Sequence, residues 1–497
     1  MNLASAPARA AADVVNLGSR LGMTDRLILG AAVLVAAGLV IFGSASTAAF
    51  VALLGLVAAV TAAAAIRWPL ATLVVASLAT LADPVILPAL LPPGFDPSPI
   101  GLSEPMLLAA GAAILASAVR RRAVDAALRD PVLVLAGLFV VAAATSAVVN
   151  HVPFGVAILG IAVTVDAIAA FVAVRMTRID ARAARAAIGA IVGVVVVAAV
   201  IGIAQAAVNP RIFGLTPFIG QFGEGVRIGS FLGNPNMLAS VIGLAVPFAL
   251  FASVRRDRWR WAARGALYVL VLALLLTYSR GGWLAIGLGL TVGALVLAWR
   301  AIPILVVSSA LAFGTAAVLP RADQPDAGLV SSTVDRFLHL ADGGDLRARF
   351  LRDGLPIIAE HPALGVGPGR YGGAVAAIIP SPVYEAYGTG LFGYRTVHDF
   401  WLHLAGETGV VGVSIFLTLI AGLLVRFVRA ARSAIGVRFV VLAGTATMLV
   451  VASLNSVTEM IFEGNMPSVL IWLMVGLASC LAPAWPSTGP EAAADSS

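Results

Sequence analysis

Lysine is missing from this chain. All 32 basic residues among its 497 are arginine, a bias expected of a GC-rich genome. Charge of either sign is scarce: charged residues make up 11% and hydrophobic ones 60%, with a mean hydropathy of +1.00, whereas soluble domains carry about 25% charged residues. That scarcity excludes a water-soluble fold. Cys480 is the one cysteine, so no intrachain disulfide forms and cysteine is silent about the compartment. There is no GxxxxGK[ST] phosphate loop and no HExxH pair, which argues against an ATP-driven machine within the chain and against a helical zinc site. The net charge of +7 comes without a basic stripe of interleaved aromatics. Nucleic acid is therefore not an expected partner.

What the chain has in plenty is apolar runs. A helix of about 20 residues spans the hydrocarbon core with its backbone hydrogen bonds closed. The runs place spans near residues 27–43, 47–66, 69–91, 104–119, 131–149, 155–174, 186–207, 236–254, 263–279, 282–299, 301–319, 399–425, 439–456 and 467–483. Asp83-Pro84 interrupts the third. The expectation is an all-α, polytopic transmembrane bundle of about 12–14 spans with a long external, partly helical loop over 321–397. Residues 1–26 form a cytoplasmic leader, 27–207 an N-terminal bundle, 208–425 the region of interest, 426–483 the last spans and 484–497 a cytoplasmic tail. Ser44-Ala45-Ser46 after the first run mimics a signal-peptide end. The long arginine-bearing leader favours an uncleaved span.

Arginines set the orientation. Arg120, Arg121, Arg122 and Arg129 crowd one short loop, and Arg175, Arg178, Arg182 and Arg185 another two spans later. Both fit the cytoplasm under the positive-inside rule. The alternation continues through Arg255, Arg256, Arg258, Arg260 and Arg264 and through Arg426, Arg429, Arg432 and Arg438. It leaves outside residues 208–235, the turn Ser279-Arg280-Gly281-Gly282 and the loop 321–397.

These external pieces carry the candidate chemistry. Asn234-Pro235-Asn236 can cap the helix that follows, leaving its N-terminus and Arg227 to meet an anion; a tight turn with one exposed arginine is the plainer alternative. Arg280 sits at the mouth of a hairpin between two spans, where a charge near hydrocarbon needs a partner or a task, or else snorkels. Residues 347–362 begin as an amphipathic helix able to lie at the interface. The run Gly365-Val366-Gly367-Pro368-Gly369-Arg370 follows no strand and is read as a turn presenting Arg370, not as a dinucleotide fingerprint. His398 lies at the water boundary, where a neutral imidazole takes a proton near neutral pH. His403 follows it by five residues, the wrong spacing for a helical metal pair, and both histidines lining the interface is the plain reading. Asp166 falls mid-span, either functional or engaged in a structural bond.

In order and placement these pieces resemble the O-antigen ligase and polymerase superfamily of bacterial membrane glycosyltransferases. The likeness covers about residues 200–425. It rests on Arg227 with Phe231-Leu232-Gly233-Asn234-Pro235-Asn236, on Ser279-Arg280-Gly281-Gly282, on His361-Pro362 with Gly365-Val366-Gly367-Pro368-Gly369, and on His398 followed by Glu407-Thr408-Gly409. The resemblance implies an undecaprenyl-diphosphate-linked glycan donor, a glycan or glycolipid acceptor hydroxyl, and inverting transfer without metal or cofactor on the outer face of the bacterial cytoplasmic membrane. It implies that Arg227 and Arg280 clamp the departing diphosphate and that His398 accepts the acceptor's proton. Arg370, Asn236, Asp399 and Glu407 are the expected substrate-binding residues. Family members often have asparagine after the loop histidine; here stands Asp399, which either orients His398 or caps the helix. A polymerase of the same superfamily is the alternative. A transporter or flippase coupled through Asp166 would show paired charges at membrane depth and an internal repeat, and neither is seen.

Overall fold

In a computed structural model, residues 22–42, 47–84, 103–121, 129–177, 179–212, 218–219, 226–319, 346–377, 379–388, 397–464 and 466–483 are described. The helices are α1 Met23–Phe42, α2 Thr47–Arg67, α3 Pro69–Ala79, α4 Ser103–Arg120, α5 Pro131–Val149, α6 Phe154–Val165, α7 Ile168–Met176 and α8 Ala181–Ala207. There follow α9 Pro235–Ser253, α10 Arg260–Leu276, α11 Arg280–Leu297, α12 Ala301–Val318, α13 Leu346–Glu360, α14 Pro382–Ala386, α15 Phe400–Arg432, α16 Gly436–Asn455 and α17 Ser468–Ser479. The protein is an all-helical polytopic bundle. A two-residue antiparallel pair, β1 Phe218–Ile219 with β2 Val226–Arg227, is the one sheet among the described residues, registering Phe218 with Arg227.

Each expected span meets a helix, but the lengths differ. Among the described residues eight helices are long and apolar enough to cross a membrane, or nine if a bent pair counts as one. The bent pair corrects the sixth expected span: α6 and α7 meet at 61°. At the bend Asp166 Oδ1 accepts the amide of the next residue, Ala167, at 2.5 Å, and the Val163 carbonyl accepts the Gly464 amide at 2.9 Å. Such local bonding offers the backbone an alternative to the helical ladder. The third expected span shrinks to α3, which ends at Ala79 ahead of Asp83-Pro84, and residues 85–102 lie outside the described set.

The core is built on α9 and α16. Residues of α9 are buried on every side, as expected of a helix apolar all round, and α16 packs against α9, α11 and α15. Asp130, Asp180 and Asn234 cap α5, α8 and α9 by accepting the amides of Val132, Ala183 and of Asn236 and Met237, taking up donors that a helix start otherwise leaves unmade.

A second, smaller core gathers beyond the bundle end. Phe350 and Ile357 of α13 pack with Val366, Tyr371, Tyr384, Val397 and Leu402. The amphipathic segment of the long loop thus turns its apolar face into a protein core, leaving Leu351 and Leu355 exposed. Of that loop, residues 320–345 and 389–396 lie outside the described set.

What ties the two cores together is a break in α15. Gly409 sits at φ 60° and ψ −165°, a region essentially closed to residues with a side chain. The chain 362–367 fills the break: Val366 and Gly367 amides donate to the Gly406 and Glu407 carbonyls at 2.8 and 3.1 Å, while Val410 and Val411 amides donate to the Pro362 and Ala363 carbonyls at 2.8 and 3.3 Å. Ser146 of α5 locks the crossing, its Oγ donating to the Leu364 carbonyl at 2.5 Å and lying 3.0 Å from the Glu407 carbonyl. Gly409→Ala should therefore destabilise the protein by on the order of 3 kcal/mol, since strain alone costs about 1–3 kcal/mol and its Cβ would strike the backbone of Ala363 and Leu364. Gly137→Ala, mid-helix in α5 with nothing within 4 Å, should instead stabilise by about 0.5–1 kcal/mol. Thermal unfolding in detergent reads both, and equal midpoints for the two variants would refute this account of the break.

Candidate functional site

Arg227 ends β2, and its side chain is nearly buried. Its Nε donates to the Thr277 carbonyl at 2.8 Å and its Nη2 to Asn236 Oδ1 at 2.9 Å. Asn236 therefore holds an arginine, while the cap of α9 is supplied by Asn234. Thr277 precedes Arg280 by three residues. The turn between them is stiff: Thr277 Oγ1 donates to the Leu274 carbonyl at 2.6 Å and accepts the Ser279 amide at 3.2 Å, and Trp283 Nε1 donates to the same Leu274 carbonyl at 2.7 Å. Arg280 is the first residue of α11, half-buried.

His398 stands between Val397, whose amide donates to the Gly372 carbonyl at 2.6 Å, and Asp399, whose Oδ1 accepts the Leu402 amide at 3.0 Å and caps α15. The carboxylate facing His398 is that of Glu459: its Oε2 lies 3.5 Å from Nδ1, and its Oε1 accepts Arg347 Nη2 at 2.6 Å. Glu459 is buried, whereas the His398 side chain is 46% exposed.

Glu459 belongs to the connection 456–467 between α16 and α17, and this connection touches everything nearby. The Ser456 carbonyl accepts the Phe400 amide at 2.8 Å. Thr458 packs so tightly on Gly281 that a Cβ there would overlap it. The neighbours of Arg280 and of His398 thus meet on one turn, and Arg227 reaches the same corner through Thr277.

Backbone strain marks the same places. Among the described residues, four without glycine's freedom have positive φ: His151 (51°), Ser230 (52°), Tyr278 (52°) and His398 (55°). Such outliers persist where surrounding structure overrides the cost, often at functional sites. Three of them lie within three residues of Arg227, Arg280 and His398. The fourth follows Asn150, whose carbonyl accepts Arg370 Nη1 at 3.2 Å.

Arg370 and Glu407 belong to a different cluster. The glycines at 365, 367 and 369 all take positive φ, and their added Cβ atoms would strike α15, Val152 and Val156. The run is thus a packing seam between α15 and the α5–α6 corner, with Asn150 Nδ2 donating to the Gly365 carbonyl at 3.0 Å. Beneath it, His403, Glu407 and Glu463 are buried. His403 Nε2 lies 2.8 Å from Glu463 Oε2 and 3.5 Å from Glu407 Oε2, and its Nδ1 is 3.0 Å from the Tyr371 carbonyl. A carbonyl only accepts, so Nδ1 carries hydrogen. Glu463 Oε1 accepts the Ala374 amide at 2.7 Å and Glu407 Oε1 the Tyr371 amide at 3.3 Å. Burial raises the phenols of Tyr371 and Tyr384 above the usual range, keeping both protonated. Glu407, expected to bind substrate, is sealed inside this cluster, and Asp399 serves a helix cap. Among the described residues no group of three or more His, Cys, Asp or Glu is placed to hold a metal ion.

Glu459 and Glu463 escaped the sequence reading. The alternation that put three stretches outside also puts 457–466 there, and two glutamates in a ten-residue external turn were the signal.

A family model described as O-antigen ligase matches residues 265–417, which include Arg280, Arg370, His398, Asp399 and Glu407 but neither Arg227 nor Glu459. No curated protein matches. Among solved structures, a chain from "Structural coordination of polymerization and crosslinking by a peptidoglycan synthase complex" is 18% identical, with a TM-score of 0.38, covering 70% of this chain and 95% of its own.

The buried cluster should respond as a unit. Glu463→Ala leaves His403 without its 2.8 Å partner, a loss of about 3–5 kcal/mol for a broken buried pair. The expected result is a lowered unfolding midpoint together with faster amide exchange at Tyr371 and Ala374; exchange there as slow as in the parent chain would contradict it.

Proposed function

We propose, on the premise that this chain belongs to the O-antigen ligase superfamily through residues 265–417, that it is a ligase-type membrane glycosyltransferase. It moves a glycan from undecaprenyl diphosphate to an acceptor hydroxyl at the outer face of the cytoplasmic membrane. The observation that carries the proposal is the turn at Asn455–Glu459, which meets Gly281 beside Arg280 and the imidazole of His398.

In this reading the acceptor oxygen attacks the anomeric carbon of the donor sugar. Its proton passes to His398, and the bonding electrons leave with the diphosphate. Glu459 orients His398 through Nδ1, leaving Nε2 for the acceptor, and stabilises the imidazolium that forms. Arg280 and Arg227 meet the charge growing on the diphosphate. Guanidinium forks suit phosphate oxygens, and Arg227, already held by Thr277 and Asn236, is preorganised for the task. Arg370 is reserved for sugar or phosphate at the edge of the glycine seam. The same arrangement serves a polymerase, in which the acceptor is itself lipid-linked.

One observation favours a second reading. Asp166, at the bend between α6 and α7, lines a largely apolar cavity of about 480 Å³ together with Glu104, which suits a proton-coupled lipid transporter. Two measurements separate the readings. Arg280→Ala and His398→Ala should each cut glycan transfer by about 10²-fold or more while the protein still inserts and accumulates, and Glu459→Gln should lower kcat by about tenfold or more with little change in KM. Parent-level transfer in the Arg280 and His398 variants sinks the transferase. Asp166→Asn should leave transfer in vitro unchanged; glycolipid translocation in vesicles that depends on a proton gradient and is lost in Asp166→Asn would establish the transporter instead.

A further inference from the structure

Beyond the Gly409 break the bundle carries a second cavity, a polar one. Arg426 follows His398 by 28 residues and lies beyond the Gly409 break in α15. There a cavity of about 630 Å³ opens between the ends of α7, α15 and α17, lined among others by Arg175, Thr177, Asp180, Arg426, Ser479 and Cys480.

Two guanidinium groups of different helices face this space, each pinned. Arg426 is nearly buried; its Nη2 and Nε donate to the Pro483 carbonyl at 3.1 and 3.4 Å and its Nη1 to Ser479 Oγ at 3.3 Å. Arg175 Nε lies 3.1 Å from Asp130 Oδ2, with its side chain still 31% exposed. The carboxylates nearby have other duties. Asp130 Oδ1 accepts the Val132 amide at 3.1 Å at the start of α5, and Asp180 Oδ1 accepts the Ala183 amide at 2.6 Å at the start of α8. Arg438 Nε donates to the Leu481 carbonyl at 2.9 Å, between the lining residues Cys480 and Ala482, and Arg182, Arg185, Arg429, Arg432 and Arg438 are exposed.

We propose that this cavity binds a phosphate group presented by an anionic lipid headgroup. Guanidinium groups held in place attract phosphate oxygens and donate charge-assisted hydrogen bonds to them. The volume falls in the range of small-molecule sites and exceeds what bare phosphate fills. Exposed arginines at a bundle end draw in an anionic leaflet, at about 1 kcal/mol each near the surface. The site is separate from the arginine pair near His398 and stands whether or not the chain transfers glycans.

Cys480 provides a native reporter, because it lines the cavity, is only half-buried and is the chain's one cysteine. The experiment places the full-length protein in phosphatidylcholine nanodiscs, in the same discs containing phosphatidylglycerol, and in phosphatidylcholine discs with added inorganic phosphate. Alkylation of Cys480 by N-ethylmaleimide is timed in each. With ligand at about ten times its Kd, alkylation slows about tenfold. Slowing with phosphatidylglycerol alone supports the lipid headgroup; slowing with inorganic phosphate as well supports the phosphate site with a soluble source. In Arg175→Gln and Arg426→Gln the protection should vanish, each variant being compared with itself across the discs. Equal rates in all three conditions for the parent chain, or protection that survives in both variants, would overturn the proposal.

Discussion

A long helix is interrupted at Gly409, and the strand of loop that enters the interruption satisfies the backbone groups set free. In hydrocarbon or a protein interior an unmade backbone hydrogen bond is expensive, so a break in α15 persists only because residues 362–367 answer it on both sides. This crossing fixes where the long loop meets the bundle. From it follow the placement of Tyr371 and Ala374 over the buried His403, the seating of α13 on Tyr371, and the path by which the chain re-enters at His398.

The candidate site depends on a second constraint, the connection between α16 and α17. It is short and reaches several elements at once, through Ser456 to Phe400, Thr458 to Gly281, Glu459 to His398 and Arg347, and Glu463 to His403 and Ala374. Residues far apart in sequence share one corner because they share this connection. Of the residues with strained backbones, His398 is the one that faces this connection directly, through Glu459.

Physical chemistry divides the motifs into two kinds. Asn236 and Arg227 act as a pair, one holding the other. The glycine run and Glu407-Thr408-Gly409 prove to be two sides of the break, and the glycines stand where an added Cβ would meet the facing backbone or side chain. Asp399, at a position where the expected partner of His398 stood, gives its oxygen to a helix cap; a glutamate from another part of the chain faces the imidazole.

The sequence by itself determined the membrane fold and the positions of nearly all helices, because hydrophobic runs are local quantities that survive without knowledge of neighbours. Even the amphipathic character of α13 was legible, though not that its apolar face would meet Tyr371 and Tyr384. Only the tertiary structure decided that a span bends at Asp166, that His403 is buried between two glutamates, and that Glu459 stands beside His398. Each of those depends on a pairing across many helices, and a carboxylate reads the same in sequence whether it will cap a helix, orient a histidine or close a core.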